Sequence, residues 1–133
     1  MSFIINQKIL FKHCDPAGIV FYPRYFEIIN DCTESFFDIT LDWPFENLLN
    51  TYGIPTAQIK TIFLKPSRHG DVLQLECNCL RVGNSSVDIK ITAKCGKEVR
   101  FVSDFTLVLV NSKDQPHAWP ERIKSKFIEI VSK

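Results

Sequence analysis

Hydrophobic and polar residues alternate along the first segment of the chain, over residues 3–13. A period of two is typical of a β-strand with one buried side. One face of this predicted strand carries Ile5, Gln7, Ile9, Phe11 and His13. Pro16 and Gly18 break the alternation and so predict a turn directly after the strand.

The period changes to that of a helix from Pro23 to about Asp38. Pro23 suits the first helical position, where its missing N–H costs nothing. The face that repeats at three- and four-residue steps is apolar and aromatic, and consists of Tyr22, Tyr25, Phe26, Ile29, Cys32, Thr33, Phe36 and Phe37. Because this face is so broad, we expect a sheet to wrap around the helix.

Four further strands are predicted in the rest of the chain, over residues 56–65, 72–80, 86–95 and 98–110. Short turns join the last three strands, which predicts an antiparallel meander. A short helical turn over residues 43–50 and a helix near the C-terminus complete the predicted elements; one side of that last helix carries Ile123, Phe127, Ile130 and Val131.

The predicted order is one strand, one long helix and four strands, so the fold class is α+β. A single antiparallel sheet around one helix satisfies every pattern, and residues 1–133 fit one domain. One helix covers only one face of such a sheet. Apolar residues left on the second face or at an edge therefore indicate oligomerisation; they are Leu10, Val102, Val108 and Val110.

Composition narrows the possible functions. The net charge of +1 provides no broad field for nucleic acid. The N-terminal residues do not resemble a signal peptide, and no apolar run approaches membrane-spanning length, so stable membrane insertion is not expected. Five cysteines occur without metal-ligand or redox-motif spacing, which favours reduced thiols in a cytoplasmic protein.

Asp15 is the main candidate for chemistry, because it lies between the predicted strand and the predicted helix. Helix N-terminal N–H groups lack partners and can stabilise a developing oxyanion, while a carboxylate beside them can act as nucleophile or general base. The structural alternative is that Asp15 only caps the turn. His13 would share a strand face with Asp15 and could contact substrate, or be a partly exposed strand-end histidine. Cys14 would face away from His13, which disfavours a Cys/His nucleophile.

A family resemblance is carried by one long segment, Asp15-Pro16-Ala17-Gly18-Ile19-Val20-Phe21-Tyr22-Pro23-Arg24-Tyr25-Phe26. It resembles the signature of hotdog-fold acyl-CoA thioesterases of the 4-hydroxybenzoyl-CoA thioesterase family. Three later segments resemble the same family over nearly the whole chain: Phe63-Leu64-Lys65-Pro66-Ser67-Arg68, Gly70-Asp71-Val72-Leu73 and Val82-Gly83-Asn84-Ser85-Ser86.

The resemblance implies a hotdog fold, in which a five-stranded antiparallel sheet wraps one long central helix. It implies that Asp15 is the catalytic carboxylate and that the backbone N–H of Tyr22 holds the thioester carbonyl. It also implies a homodimer or homotetramer with active sites at the subunit interface, and a reaction that needs no metal or redox cofactor. The 4-hydroxybenzoyl-CoA enzymes carry an acidic residue at the position of His13 and Asn at the position of Arg24. These departures weaken the expectation of an aromatic substrate more than that of hydrolysis.

Basic residues of the loop after the second strand could bind the phosphates of coenzyme A. Lys65 and Arg68 are the candidates on this loop, and Arg81 is a third candidate elsewhere. The alternative for each is an ordinary solvated charge that binds no phosphate. The sequence therefore predicts hydrolysis of an acyl-CoA, with an aromatic or short to medium acyl group, to a free acid and coenzyme A. The carrier could instead be acyl carrier protein. The rival functions are a non-catalytic acyl-CoA or acyl-carrier-protein binding module and, less favoured, a hotdog dehydratase.

Overall fold

One five-stranded antiparallel sheet dominates the computed structural model, which describes residues 2–131. Its strands lie in the order β1-β3-β4-β5-β2 and all pair antiparallel. The strands are β1 (Phe3–Lys8), β2 (Thr56–Phe63), β3 (Val72–Val82), β4 (Ser86–Cys95) and β5 (Glu98–Val108). The helices are α1 (Tyr22–Ile39), α2 (Phe45–Leu48) and α3 (Glu121–Ile130).

The core lies between α1 and the inner face of the sheet. Alternate residues of β3, β4 and β5 point inward, as their period of two predicts. The α1 face that meets them is buried at Tyr25, Ile28, Ile29, Cys32, Thr33, Phe36 and Phe37. The predicted helix is confirmed to within one residue at each end, but Tyr22 is 59% exposed, and Ile28 is an unpredicted core residue.

The first strand is shorter than predicted. β1 ends at Lys8, which pairs with Val72, the first residue of β3. Beyond this point only Ile9 still pairs, because its N–H donates to the carbonyl of Asp71 at 2.7 Å and the chain before Val72 then turns at Gly70. The N–H of Gly70 donates to the carbonyl of Ile9, and residues 11–13 form a short 3-10 helix instead of a strand.

The predicted face for Phe11 is consequently wrong, since its side chain is 81% exposed. The strand prediction is also wrong at the end of β5, which stops at Val108. Val110 forms an isolated bridge to Gly53 and is buried, whereas we predicted it on the second face or at an edge of the sheet. Leu10, Val102 and Val108 keep partial exposure.

β2 forms an outer edge of the sheet and is nearly all exposed, in contrast to the buried meander. At the other end of the molecule, α3 covers the core through Phe127, whose ring meets Phe37 and Trp119. No helix within residues 2–131 is long and apolar enough to cross a membrane.

Phe37 allows a direct test of this packing. Its side chain is fully buried against the rings of Phe36, Phe45 and Phe127. We expect Phe37→Ala to lower the free energy of unfolding by about 3–5 kcal/mol, because it leaves a cavity that the neighbours cannot fill. The matched control Phe11→Ala removes an exposed ring and should change it by no more than about 0.5 kcal/mol. Urea unfolding measures both, and similar values for the two variants would contradict this account of the core.

Candidate active site

A tight hairpin places Asp15 next to the start of α1. The N–H of Asp15 donates to the carbonyl of Ile19 over 3.0 Å, and the N–H of Gly18 donates back to the carbonyl of Asp15 over 2.9 Å. Gly18 has a φ of 82°, a conformation that side chains other than glycine rarely adopt. A bridge between Cys14 and Val20 closes the hairpin, so its second strand runs directly into the helix.

One oxygen of the Asp15 carboxylate has a structural partner. Its Oδ1 accepts the N–H of Ala17 at 2.9 Å, which forms the turn cap that the structural alternative predicted. Oδ2 has no hydrogen-bond partner among the described residues. The side chain is partly exposed. Capping and chemistry are therefore compatible in this carboxylate, because each can use a different oxygen.

The first helical residue presents a free backbone donor. Phe21 lies just before α1, and its own N–H donates to the carbonyl of His13 at 2.9 Å. Within residues 2–131, the N–H of Tyr22 has no hydrogen-bond partner, as expected for the first turn of a helix. Pro23 follows and has no N–H to compete. The amide at Tyr22 can thus bind an oxygen that carries negative charge.

An open cavity of about 450 Å³ adjoins this helix start. It lies between α1 and the end of the edge strand β2, and its surface is mostly apolar. The lining residues are Ile19, Val20, Tyr22, Tyr25, Phe63, Leu64, Lys65 and Pro66. Asp15 is not a lining residue, but its N–H donates to the carbonyl of Ile19, which is a lining residue. An apolar acyl group fits such a lining.

Arg100 holds the loop that forms the outer wall of the cavity. Its side chain is only 12% exposed, and its NH1 donates to Asp71 Oδ2 at 2.7 Å, to the carbonyl of Pro66 at 3.1 Å and to Ser67 Oγ at 3.2 Å. Its Nε lies 2.8 Å from a carboxylate oxygen of Glu98, which forms an ion pair without hydrogen-bond geometry. These contacts fix the loop against the sheet.

Backbone hydrogen bonds also connect the same loop to the Asp15 hairpin. The N–H of Val20 donates to the carbonyl of Ser67 at 2.8 Å, and Ile19 forms a bridge with Arg68. Asp71 closes the loop, because its Oδ2 also accepts the N–H of Arg68 at 2.9 Å. The hydrogen bond from Arg100 and that from the Arg68 backbone hold the pKa of the Asp71 carboxyl below its ordinary value.

His13 lies in a different place from the predicted one. The sequence placed it on a strand face beside Asp15, but it ends the 3-10 helix and is 4% exposed. Its Nδ1 accepts the N–H of Leu10 at 2.8 Å, which places the ring proton of the neutral form on Nε2. Burial, followed by the charge of Lys12, lowers the pKa of His13 and so favours that neutral form. The thiol of Cys14 points to the carbonyl of Leu10.

The two predicted phosphate-binding residues lie on the loop that walls the cavity. Lys65 lines the cavity itself, and its side chain is exposed. Arg68 is exposed, and its backbone bridge to Ile19 places it beside the Asp15 hairpin. The structure therefore brings Asp15, Tyr22, Lys65 and Arg68 to one end of α1, while His13 is buried behind the hairpin.

The family model of the thioesterase-like superfamily matches residues 9–127. The chain belongs to the thioesterase-like superfamily. This match confirms the family resemblance and the prediction that the chain is a thioesterase. A search of the curated proteins found no match.

Solved structures show the same fold at low sequence identity. A 1,4-dihydroxy-2-naphthoyl-CoA thioesterase from Synechocystis is similar with a TM-score of 0.89 and 12% identity, over 97% of this chain and 97% of that chain. A gentisyl-coenzyme A thioesterase has a TM-score of 0.84 and 20% identity, over 92% and 99%. A protein from Staphylococcus aureus, solved in complex with CoA, has a TM-score of 0.90 and 14% identity, over 100% and 87%. These similarities confirm the hotdog fold.

Arg100 and Tyr25 are site residues whose contacts sequence reasoning missed. Arg100 was counted only within a strand, and Tyr25 only within an apolar stripe. An arginine that follows Val99 and precedes Phe101 in a strand carries no local signal of a partner, since the acceptors lie 29 to 34 positions away. Only the folded register brings them together.

Asp71 generates a pH-dependent prediction. Because its folded pKa lies below the ordinary value, the carboxylate contributes stability above about pH 4, and this contribution is lost as the pH falls through the folded pKa. We expect Asp71→Asn to lower the free energy of unfolding at pH 7, and the gap to wild type to narrow below about pH 4. Urea unfolding at a series of pH values measures this gap.

Asp38→Asn is the matched control for this experiment. Asp38 is exposed in the last turn of α1, where removal of a negative charge should be neutral or slightly stabilising. An Asp71→Asn gap that stays constant down to pH 3 would refute the assigned role of the Arg100–Asp71 pair.

Proposed function

We propose that this chain hydrolyses an acyl-CoA thioester to a free acid and coenzyme A. One observation carries the proposal. Within residues 2–131 the backbone N–H of Tyr22 has no hydrogen-bond acceptor, and Tyr22 lines an apolar cavity beside the Asp15 hairpin. Thioester hydrolysis needs a donor for the carbonyl oxygen and a group that attacks or activates water, and these two residues supply both.

The Tyr22 amide binds the thioester carbonyl oxygen. As the carbonyl carbon becomes tetrahedral, its oxygen gains negative charge, and the positive end of the α1 dipole stabilises that charge. The donor is part of the backbone, so its position is set by the helix and does not depend on the exposed Tyr22 side chain. The hydrogen bond between Phe21 N–H and the His13 carbonyl keeps the helix start in place.

Asp15 acts through the carboxylate oxygen that the turn leaves free. As a general base it accepts a proton from water while the water oxygen bonds to the carbonyl carbon; the C–S bond then breaks, and the thiolate takes the proton back. As a nucleophile, the same oxygen bonds to the carbonyl carbon and expels the thiolate, which leaves a mixed anhydride that water opens. The cap between Oδ1 and Ala17 orients the carboxylate in either route.

Lys65 and Arg68 are proposed to bind the phosphates of the coenzyme A part. Both are exposed; Lys65 lines the cavity, and Arg68 pairs with Ile19, which also lines it. An ammonium or guanidinium group in such a place can bind an anionic oxygen. The similar structure from Staphylococcus aureus contains CoA, which supports coenzyme A as the carrier in preference to acyl carrier protein. A direct substrate contact of His13 stays a prediction, and its burial favours a role in holding the hairpin.

The cavity supports an aromatic or short to medium acyl group. Three of its lining residues are aromatic, Tyr22, Tyr25 and Phe63, and two of the similar solved structures are thioesterases of aromatic acyl-CoAs. A cytoplasmic location is consistent with this substrate and with the five cysteines, all of which are free thiols.

Asp15→Asn tests the mechanism. We expect kcat for acyl-CoA hydrolysis to fall about 100-fold or more, because the amide can neither attack nor accept the proton. Thiol release across a panel of acyl-CoAs measures the loss. Asp38→Asn, at the far end of α1, makes the same chemical change outside the site and should keep wild-type turnover. Unchanged turnover in Asp15→Asn would remove Asp15 from the mechanism. Tight acyl-CoA binding without hydrolysis by the wild type would indicate a binding module.

We also propose that the active form is a homo-oligomer, at least a dimer, that covers the open edge at β2. This edge strand leaves backbone groups unpaired, which is a common template for pairing with another chain. Several large apolar residues are exposed on this side of the molecule, and such a group marks an interaction site more often than scattered single residues do. They are Phe21, Tyr22, Ile59, Ile62, Phe63 and Leu64. A second copy there would also enclose the cavity.

Ile59→Arg tests this interface. Ile59 is 42% exposed on β2, and a buried unpaired guanidinium would be costly at a subunit contact. We expect the wild type to sediment as a dimer or tetramer. The variant should dissociate at protein concentrations at least about tenfold above those at which the wild type dissociates. Ile128→Arg is the matched control, since Ile128 is 59% exposed on α3. Analytical ultracentrifugation distinguishes these outcomes, and a monomeric wild type would exclude the proposed assembly.

A further inference from the structure

Tyr25 carries a polar group that the structure leaves without a partner. Its side chain is 4% exposed, its hydroxyl oxygen is buried, and within residues 2–131 that oxygen makes no hydrogen bond. Buried tyrosine hydroxyl groups usually have a partner, because an unpaired polar group in a protein interior is destabilising. Tyr25 therefore needs either a structural explanation or a ligand.

The position of Tyr25 favours a ligand. It lines the same cavity as Tyr22 and lies about one helical turn further along α1. The two residues share a helix face because they are three positions apart. Helix side chains lean toward the N-terminus, so the Tyr25 ring leans toward the Tyr22 amide. A group bound with its thioester carbonyl at Tyr22 would extend its acyl part alongside this ring.

The ring of Tyr25 is held in place by its neighbours. It stacks on Phe63 with ring centroids 5.6 Å apart and meets Phe101 at 4.9 Å. Phe101 is fully buried, whereas Phe63 is 44% exposed at the end of the edge strand β2. Phe63 is thus the neighbour that can move aside when a ligand enters, while Phe101 keeps the hydroxyl in position.

We propose that Tyr25 is a specificity-determining residue, whose hydroxyl hydrogen-bonds an oxygen carried by the acyl group of the substrate. The proposal rests on the proposed function and narrows its substrate class to acyl groups with a hydroxyl or similar oxygen beyond the thioester. Such a group satisfies the buried hydroxyl, whereas an acyl group without that oxygen leaves it unpaired. A site built in this way discriminates against the analogue that lacks the polar group.

Tyr25→Phe removes only the hydroxyl and is the test. kcat/KM is measured for pairs that differ by one oxygen: benzoyl-CoA against its three monohydroxy isomers, and butyryl-CoA against 3-hydroxybutyryl-CoA. We expect the wild type to prefer at least one hydroxylated member by about tenfold or more. In Tyr25→Phe this preference should fall to within about twofold, with little change for the unsubstituted member.

Tyr52→Phe is the matched control, because Tyr52 lies away from the cavity, against Trp43 and His117. It should keep the wild-type preference. The proposal is overturned if the wild type prefers no hydroxylated member, or if Tyr25→Phe keeps the preference. Equal loss for every substrate would also overturn it, since the hydroxyl would then act on the thioester or on water. Dissociation of the oligomer in Tyr25→Phe without a change in preference would overturn it by assigning the hydroxyl to a subunit contact.

Binding of inert analogues separates this proposal from the proposed function. Phenacyl-CoA and 4-hydroxyphenacyl-CoA are thioethers that keep a carbonyl and cannot be hydrolysed. If the wild type hydrolyses no acyl-CoA, the proposed function fails. Calorimetry with this pair then still decides the role of Tyr25: tighter binding of the hydroxylated analogue, abolished in Tyr25→Phe, supports the proposal, and equal binding of the two analogues by the wild type overturns it.

Discussion

Burial of the aromatic face of α1 is the constraint on which the rest of the structure depends. That face is too wide to be covered by a second helix laid along it, and a curved antiparallel sheet covers it instead. Buried and more exposed side chains alternate along most of β3, β4 and β5, which gives the sheet one apolar face for this purpose. Burial of aromatic surface stabilises the fold, because it removes apolar area from water.

The same packing decides where chemistry is possible. A helix buried along its length can offer unpaired backbone donors only at its N-terminus, and here that end meets the cavity. The hairpin from His13 to Phe21 delivers the chain to this point and carries Asp15 with it. Arg100 then joins the sheet to the loop at Ser67, which is bonded to Val20. The site thus consists of local turns that several long-range contacts hold together.

The sheet covers α1 from one side only, and its edge strand β2 stays exposed. The edge strand and the helix start together expose apolar surface around the cavity, and a group bound there would remain open to water. A second copy would bury that surface and shield the thioester, which would strengthen the electrostatic effect of the Tyr22 amide. The proposed assembly and the proposed catalysis would in this way depend on the same strand. That residues 1–133 act as a single domain stays a prediction.

Local signals in the sequence were sufficient for the element order, a single antiparallel sheet around one helix, and the Asp15 turn. Helical and strand periods, Pro23 at the helix start and Gly18 in the turn each act within a few residues, so they can be interpreted without knowledge of the rest of the chain. The family resemblance added the hotdog fold and the predicted role of the Tyr22 amide. Long-range pairing decided what these signals could not.

The tertiary structure alone decided where β1 ends, because its partner β3 begins at Val72. It placed His13 in the interior for the same reason, since the chain leaves the sheet after Lys8. It also joined Arg100 to acceptors that lie 29 to 34 positions away, and it buried the Tyr25 hydroxyl without a hydrogen-bond partner among residues 2–131. These features depend on which distant residues meet in the folded chain, and no local pattern records that.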